Sequence, residues 1–141
     1  MEKEKSLQLK PPPLRTGIAE RRKFPRFDCE LPMDCITSES EIHVGMATNI
    51  GQGGILICLH DRIEVGAPLR VNLICTQGFQ LKIIGANAIV VWSKVVNHAF
   101  WGRHRYGLRL VGLSERSFSD FKGLLWRLAR ENHLKNLFPT S

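Results

Sequence analysis

Two short clusters of residues carry groups that could bind an anionic ligand. Residues 21–26 (RRKFPR) hold four cations close to a proline, and residues 49–54 (NIGQGG) form a glycine-rich stretch that begins with an amide. Guanidinium groups form paired hydrogen bonds with phosphates and with the O6 and N7 atoms of guanine. The two clusters together therefore suit a small ligand that carries both guanine and phosphate.

The arginines of the first cluster are Arg21, Arg22 and Arg26. From Arg22 to Arg26 an extended chain spans at most about 13 Å, which is enough to reach two parts of a dinucleotide. Pro25 disfavours a helix at this point, so we expect residues 20–26 to form an extended, mobile loop. A solvated basic linker and a nucleic-acid patch are the alternatives, and the linker is the commoner explanation for such a run.

The second cluster combines a polar side chain with an accessible backbone. The amide of Asn49 offers both donors and an acceptor, so it could pair with a base edge. Gly51, Gly53 and Gly54 allow a ligand to approach backbone N–H groups, which can form an anion nest. A strand-like run follows instead of a helix, so this is not the phosphate-binding turn of dinucleotide folds. Taken alone, a plain hairpin turn is the simpler explanation.

Catalytic and metal-binding motifs are not apparent. The five histidines are scattered, without an H-E-x-x-H pattern or a nucleophile elbow. The four cysteines include no C-x-x-C pair, and each lies in a strand-like run where a free thiol behaves as a small core residue. Residues 98–105, with Phe100 and Trp101, could line the mouth of a site. Trp92 and Trp101 are interpreted as packing or rim residues and not as stacking platforms. The sequence therefore predicts a protein that is not an enzyme.

Composition limits the remaining classes. The chain has 141 residues, of which 43% are hydrophobic, a formal charge of +7 and a pI of about 9.6. These values favour one globular domain with an anionic partner such as a nucleotide, a nucleic acid or an acidic membrane. No segment has the pattern of a signal peptide or a membrane span, so the expected location is the cytoplasm, with reduced thiols.

The apolar pattern predicts a domain over residues 20–132, between an N-terminal tail (1–19) and a C-terminal tail (133–141). Within it, short runs of strand-forming residues separated by turn residues indicate a sandwich or barrel. Pro32 suggests an edge or a bulge, and Gly85 a bend or bulge. The predicted strands are residues 27–36, 42–50, 55–59, 69–76, 80–92 and 106–111.

A helix is predicted after the last strand, with Ser114 as its N-cap and Glu115 in its first turn. One face is apolar, and three cations, Lys122, Arg127 and Arg130, are expected to stay in solvent. Trp126 lies near the edge of the apolar face and is interpreted as part-buried. The apolar face comprises Phe118, Phe121, Leu124, Leu125 and Leu128.

In this order, the clusters resemble the PilZ domain, the bacterial receptor module for cyclic di-GMP. The family's signatures are R-x-x-x-R before the first strand and [D/N]-x-S-x-x-G at the end of the second. Residues 22–26 (RKFPR) match the first completely, and residues 49–54 match the second at Asn49 and Gly54. Residues 91–92 (VW) and 106–110 (YGLRL) look like later strand motifs of the family, so the resemblance covers residues 20–130.

The resemblance implies a mainly β fold, a six-stranded antiparallel β-barrel with a C-terminal α-helix. It implies that Arg22 and Arg26 hold guanine and phosphate, that Asn49 pairs with a guanine edge, and that the turn through Gly54 meets the ligand with its backbone. An arginine at the position of Arg21 tends in the family to accompany a stacked ligand dimer.

Gly51 stands where the family has serine. Loss of a hydroxyl contact costs on the order of 1–3 kcal/mol, or about ten- to a hundredfold in affinity, so Gly51→Ser is expected to tighten binding. The backbone N–H of Gly51 is retained.

The expected function is therefore a receptor that binds cyclic di-GMP as ligand, needs no cofactor and relays its state to an unidentified effector protein through ordering of the loop and tail. The alternative is a degenerate PilZ adaptor that binds protein partners without nucleotide. A small barrel that binds RNA or DNA is a third hypothesis, but the strands offer few outward aromatics for stacking, which argues against it.

Overall fold

The computed structural model describes residues 4–5, 25–97 and 102–137 of the chain. This part of the chain contains seven strands and one helix. They are β1 (Glu4–Lys5), β2 (Arg26–Thr37), β3 (Ile42–Gly51), β4 (Gly54–Leu59), β5 (Pro68–Gln77), β6 (Gln80–Val95), β7 (His104–Ser114) and α1 (Glu115–Leu137).

Six of the strands, β2 to β7, form a closed antiparallel barrel. The order along the sheet is β7-β4-β3-β2-β5-β6, and a second ladder joins β6 back to β7. Closure leaves the barrel interior as one apolar core, to which every strand contributes alternate residues. The predicted fold class is confirmed, with each strand of the barrel close to a predicted run.

Two features extend past the predicted domain limits. β1 lies within the predicted N-terminal tail and pairs antiparallel with the end of β7, Glu4 opposite Ser114. At the other end, α1 continues to Leu137, beyond the predicted limit at residue 132. The remainder of the predicted N-terminal tail lies outside the described residues.

The predictions for the two interrupted strands had different outcomes. Pairing of β2 with β5 begins only at Met33, so Pro32 lies where β2 has one neighbour, and the β2–β3 register shifts between Asp28 and Leu31. An edge or bulge near Pro32 is thus confirmed. Of the bend or bulge predicted at Gly85, the bulge was wrong, because the β5–β6 register runs through Gly85 without a shift. A Cβ at Gly85 would lie 2.6 Å from the guanidinium of Arg70, which explains the glycine as a site of close approach.

Helix α1 covers one end of the barrel. The hydroxyl of Ser114 accepts a hydrogen bond from the backbone N–H of Ser117 at 3.2 Å, which confirms the predicted N-cap. Apart from part-buried Phe118, the predicted apolar face is buried. Arg127 is half-buried and donates to the backbone carbonyl of Thr76. The interpretation of Trp126 was wrong, since its side chain is 70% exposed.

The cysteines are free and three of the four are buried. Burial, together with neighbouring carboxylates, raises the pKa of Cys29 and of Cys35 to about 11. Both thiols therefore stay protonated at neutral pH and are poor nucleophiles and poor metal ligands.

Tyr106 fixes the connection between β4 and β5 to the barrel. Its buried hydroxyl accepts a hydrogen bond from the backbone N–H of Ile63 at 2.8 Å and donates one to the carbonyl of Asp61 at 3.0 Å. Burial raises the pKa of the phenol, so it remains a donor at any ordinary pH.

Replacement of Tyr106 by phenylalanine should lower the free energy of unfolding by about 1–3 kcal/mol, because the N–H of Ile63 would stay buried without a partner. Urea denaturation of Tyr106→Phe measures the loss. As a control, Val44→Ala removes an exposed side chain and should change stability by less than about 0.5 kcal/mol. Equal stabilities for the two variants would contradict the role of the hydroxyl.

Candidate ligand-binding site

A cleft of about 450 Å³ lies on the outer face of the barrel. Five strands contribute to it, so that its shape is set by the sheet and not by a single loop. Its lining residues are Arg26, Asp28, Thr48, Asn49, Leu56, Trp92, Lys94 and Arg105.

Strand register brings the central residues of the cleft into one row. Asp28 of β2 lies opposite Asn49 of β3, which lies opposite Leu56 of β4. Leu56 lies opposite Gly107 of β7, and Gly107 lies opposite Trp92 of β6. Side chains at paired positions share a face of the sheet, so a polar pair stands at one end of the row and an aromatic ring at the other.

Trp92 forms one wall of the cleft. Its indole lies against the α-carbon of Gly107, where a Cβ would collide with the indole nitrogen. The register between β6 and β7 shifts between Val90 and Trp92, and such a shift re-aims the side chains that follow it. Trp92 remains 41% exposed, so part of the ring can still be covered by a ligand.

At the opposite end of the row, Asn49 and Asp28 form a hydrogen-bonded pair. The Asn49 amide nitrogen donates to an Asp28 carboxylate oxygen at 3.1 Å. This bond uses one of the two N–H groups of the amide and fixes its orientation, and the amide oxygen can accept a hydrogen bond from a ligand. Asp28 thus orients the amide that the sequence pattern predicts to contact a ligand.

The charge in the cleft is predominantly positive. Arg26, Lys94 and Arg105 line it, against the single carboxylate of Asp28. Lys94 and Arg105 stand directly opposite each other on β6 and β7, where like charges repel unless an anion lies between them. The Nε of Arg105 is buried and has no hydrogen-bond partner in the described part of the chain. The arrangement favours an anionic ligand.

Arg26 meets the glycine turn at the edge of this cleft. Arg26 and Gly51 are paired on β2 and β3, and a Cβ at Gly51 would lie 2.9 Å from the carbonyl oxygen of Pro25 and 3.1 Å from Cγ of Arg26. A Cβ at Gly54 would lie 3.4 Å from the guanidinium of Arg26 and 2.5 Å from the carbonyl oxygen of Leu108. Both glycines therefore make room for Arg26 and the neighbouring backbone.

Gly53 has a different position from the other two glycines. Its carbonyl accepts a hydrogen bond from the backbone N–H of Leu110 at 3.2 Å, which ties the turn to β7. It is exposed, whereas Gly51 and Gly54 are buried. None of the three glycines is among the residues that line the cleft. Of the predicted binding residues, Arg26, Asn49, Gly51 and Gly54 come together. Arg21 and Arg22 lie outside the described residues, as do Phe100 and Trp101 of the predicted mouth.

Sequence reasoning missed several lining residues. Asp28, Thr48 and Lys94 belong to no motif, and they meet only because the strands align as they do. Arg105, the last residue of the predicted mouth (98–105), also lines the cleft. A usable signal was the pair of outward positions Trp92 and Lys94 on one strand, which places an aromatic ring and a cation side by side. Among the residues that the structure describes, no group of three or more potential metal ligands is assembled. Within the same residues, no helix is both long and apolar enough to cross a membrane.

Solved structures share this fold. The Bacillus subtilis inhibitor of motility, MotI (DgrA), matches with a TM-score of 0.71 at 21% identity, over 89% of this chain and 57% of that protein. The PilZ domain of YcgR from Escherichia coli, solved with c-di-GMP, matches with a TM-score of 0.65 at 13% identity, over 84% and 99%. The K. pneumonia MrkH–c-di-GMP complex matches with a TM-score of 0.59 at 14% identity, over 87% and 56%.

This chain thus spans little more than half the length of MotI and of MrkH. No curated protein sequence matches it significantly. The family model of the PilZ domain matches residues 20–127, a range that holds the whole barrel, the cleft and the first turns of α1. The protein therefore belongs to the PilZ domain family.

Proposed function

We propose that this protein is a non-enzymatic receptor for cyclic di-GMP in the bacterial cytoplasm. The observation that carries the proposal is the meeting of Arg26, Asn49, Gly51 and Gly54 at the edge of a cleft with excess positive charge. Two of the proteins that share the fold, the YcgR domain and MrkH, were solved with this ligand. The shared fold and the cationic cleft of this chain together support the same ligand class.

Each group in the cleft has a role that matches one part of the ligand. Arg26 forms charge-assisted hydrogen bonds with a phosphate or a guanine edge. The amide oxygen of Asn49 accepts from a guanine N–H, and the backbone near Gly54 approaches the ligand closely. The exposed face of Trp92 offers a stacking surface for a base, worth about 1–3 kcal/mol. Lys94 and Arg105 add attraction for the second phosphodiester.

Arg21 and Arg22 complete the proposed site from the segment that precedes β2. Arg22 binds guanine and phosphate together with Arg26, and Arg21 favours a stacked ligand dimer. Holding residues 21–26 against the cleft costs conformational entropy, which the charged hydrogen bonds must exceed. The change in this segment, and in the tail before it, is the signal that an effector protein reads.

Isothermal titration calorimetry of the purified chain with cyclic di-GMP tests the proposal. We expect saturable binding at micromolar protein and about two ligands per chain if a stacked dimer forms. Arg26→Ala should weaken binding about ten- to a hundredfold, because a hydrogen bond from a charged group is worth about 1.5–3 kcal/mol. Arg116→Ala, on the exposed start of α1, is the matched control and should bind as the unmodified chain does. If the folded protein gives no heat of binding with cyclic di-GMP, the receptor proposal is wrong and the protein is instead an adaptor that binds partners without nucleotide.

Asp28 provides a test of how Asn49 is oriented. Asp28→Asn keeps an oxygen that can accept from the Asn49 amide and removes a negative charge, so binding should be equal to or tighter than that of the unmodified chain. Asp28→Ala removes the acceptor, so it should bind about two- to tenfold more weakly than Asp28→Asn. Titration of both variants gives the ratio, and a ratio of one would show that Asp28 does not position Asn49.

Two variants of Gly51 separate the effect of a Cβ on ligand affinity from the effect of a hydroxyl. Gly51→Ala adds only the Cβ, which must push Pro25 and Arg26, so we expect several-fold weaker binding. Gly51→Ser adds the same Cβ and a hydroxyl, so it should bind more tightly than Gly51→Ala, without the full gain that the sequence alone predicts. Equal affinities for the two variants would mean that no ligand atom lies within reach of a side chain at this position.

A further inference from the structure

The first half of β6 has an unpaired backbone edge. β6 pairs with β5 from Gln80 to Ile89, but its pairing with β7 begins only at Asn87. In the part of the chain that the structure describes, residues 80–86 therefore have a strand on one side only. Such an edge offers a row of N–H and C=O groups to any extended segment that reaches it.

The side chains on this edge are unusually apolar for an exposed position. Leu81 is 67% exposed and Ile83 is 61% exposed, and Phe79 at the tip of the β5–β6 hairpin is fully exposed. Gly78 has a φ of +63°, which permits the two-residue turn that holds Phe79 outward. Proteins normally protect a free edge with charges. Here Lys82 is turned to α1, where it pairs with Asp120 at 3.2 Å.

A groove of about 530 Å³ runs between this edge and the first turns of α1. The edge contributes residues 80–83, and α1 contributes Arg116, Ser117 and Asp120. Because the helix closes one side, the occupant must be thin. A second barrel would bring its own sheet and helix into the same space, whereas a single extended segment has the required width.

Charge in the groove selects the chemistry of the occupant. Lys82 and Asp120 neutralise each other, while no carboxylate among the described residues pairs with Arg116. Arg116 also lies in the first turn of α1, where the helix dipole is positive. The occupant should therefore carry a carboxylate. Residues 6–10 of this chain (SLQLK) alternate in the right way but hold a lysine and no carboxylate, which disfavours them.

We propose that this groove is a docking site for an extended segment of a partner protein, with alternating apolar residues and a carboxylate that meets Arg116. The segment adds a strand to the free edge of β6, and main-chain hydrogen bonds supply affinity while Leu81 and Ile83 select apolar side chains. This interaction surface is separate from the ligand cleft and does not depend on nucleotide binding.

A phage-displayed library of random dodecapeptides, selected on the full chain, tests the proposal. Enriched peptides should share alternating apolar residues and at least one Asp or Glu. A synthetic copy of an enriched peptide should slow hydrogen exchange at the amides of residues 80–86, measured by mass spectrometry or NMR. No enrichment over an Ile83→Lys target, or protection elsewhere on the surface, would overturn the proposal.

Point variants of the groove test which residues contribute to peptide affinity. Ile83→Lys places a charge on the edge and removes apolar contact, so it should weaken the peptide at least about tenfold. Arg116→Glu should weaken it similarly, and a peptide with lysine in place of its acid should recover binding to that variant. Val44→Lys, equally exposed but on β3, is the matched control and should bind normally.

Two other occupants of this edge, a second copy of the chain or another segment of the same chain, would give different experimental results. If a second copy occupies the edge, the unmodified chain will self-associate in sedimentation and Ile83→Lys will be monomeric. If another segment of the same chain covers it, the amides of residues 80–86 will already be protected before any peptide is added. Either result would replace the partner segment as the occupant and overturn the proposal.

Discussion

Closure of the barrel through the β6–β7 ladder is the constraint on which the rest of the structure depends. Without it, the order of strands would leave two open edges, and Trp92 on β6 would be separated from Gly107 on β7 and from the rest of the row. Closure brings β6 beside β7 and so places Trp92 against Gly107, facing the polar pair on β2 and β3. The cleft is therefore a consequence of the long-range pairing of β6 with β7.

The same closure explains why β6 carries two different surfaces. β6 has 16 residues, and only its second half is needed to complete the barrel. That half supplies Trp92 and Lys94 to the cleft, whereas the first half continues past the point where β7 turns away toward α1. An edge strand longer than its neighbour must either be covered or protected. Leu81 and Ile83 are exposed, so in the described part of the chain this edge is neither covered by another element nor protected by charged side chains.

The cleft concentrates groups that do not stabilise the free protein. Lys94 and Arg105 are like charges at directly paired positions of the β6–β7 ladder. The buried Nε of Arg105 has no hydrogen-bond partner among the residues that the structure describes. An unsatisfied buried donor costs about 1–3 kcal/mol. This cost is offset by the apolar interior, where Tyr106 also anchors the β4–β5 connection. An anion that accepts hydrogen bonds from these donors would recover part of this cost, so the arrangement of the cleft favours anion binding.

The local sequence pattern predicted the secondary-structure elements well but the site only in part. The elements depend on residues close together in the sequence, whereas the site depends on residues that are far apart in it. Alternation located the strands, and Ser114 located the start of α1, because both signals lie within a few residues. Asp28 and Arg105 could not be predicted as neighbours of Asn49 and Trp92, because their proximity is set by register across five strands. Trp126 was placed at the apolar edge by helix periodicity, but Leu125 and Leu128 already fill the space beneath α1.

Gly51 shows the same limit: the sequence marked a missing hydroxyl, whereas the structure shows that the missing Cβ leaves space for the backbone of Pro25 and the side chain of Arg26. Arg26 begins β2 at this contact, so Gly51 sets the position of the arginine. A side chain added at Gly51 to supply a ligand contact would therefore also move Arg26.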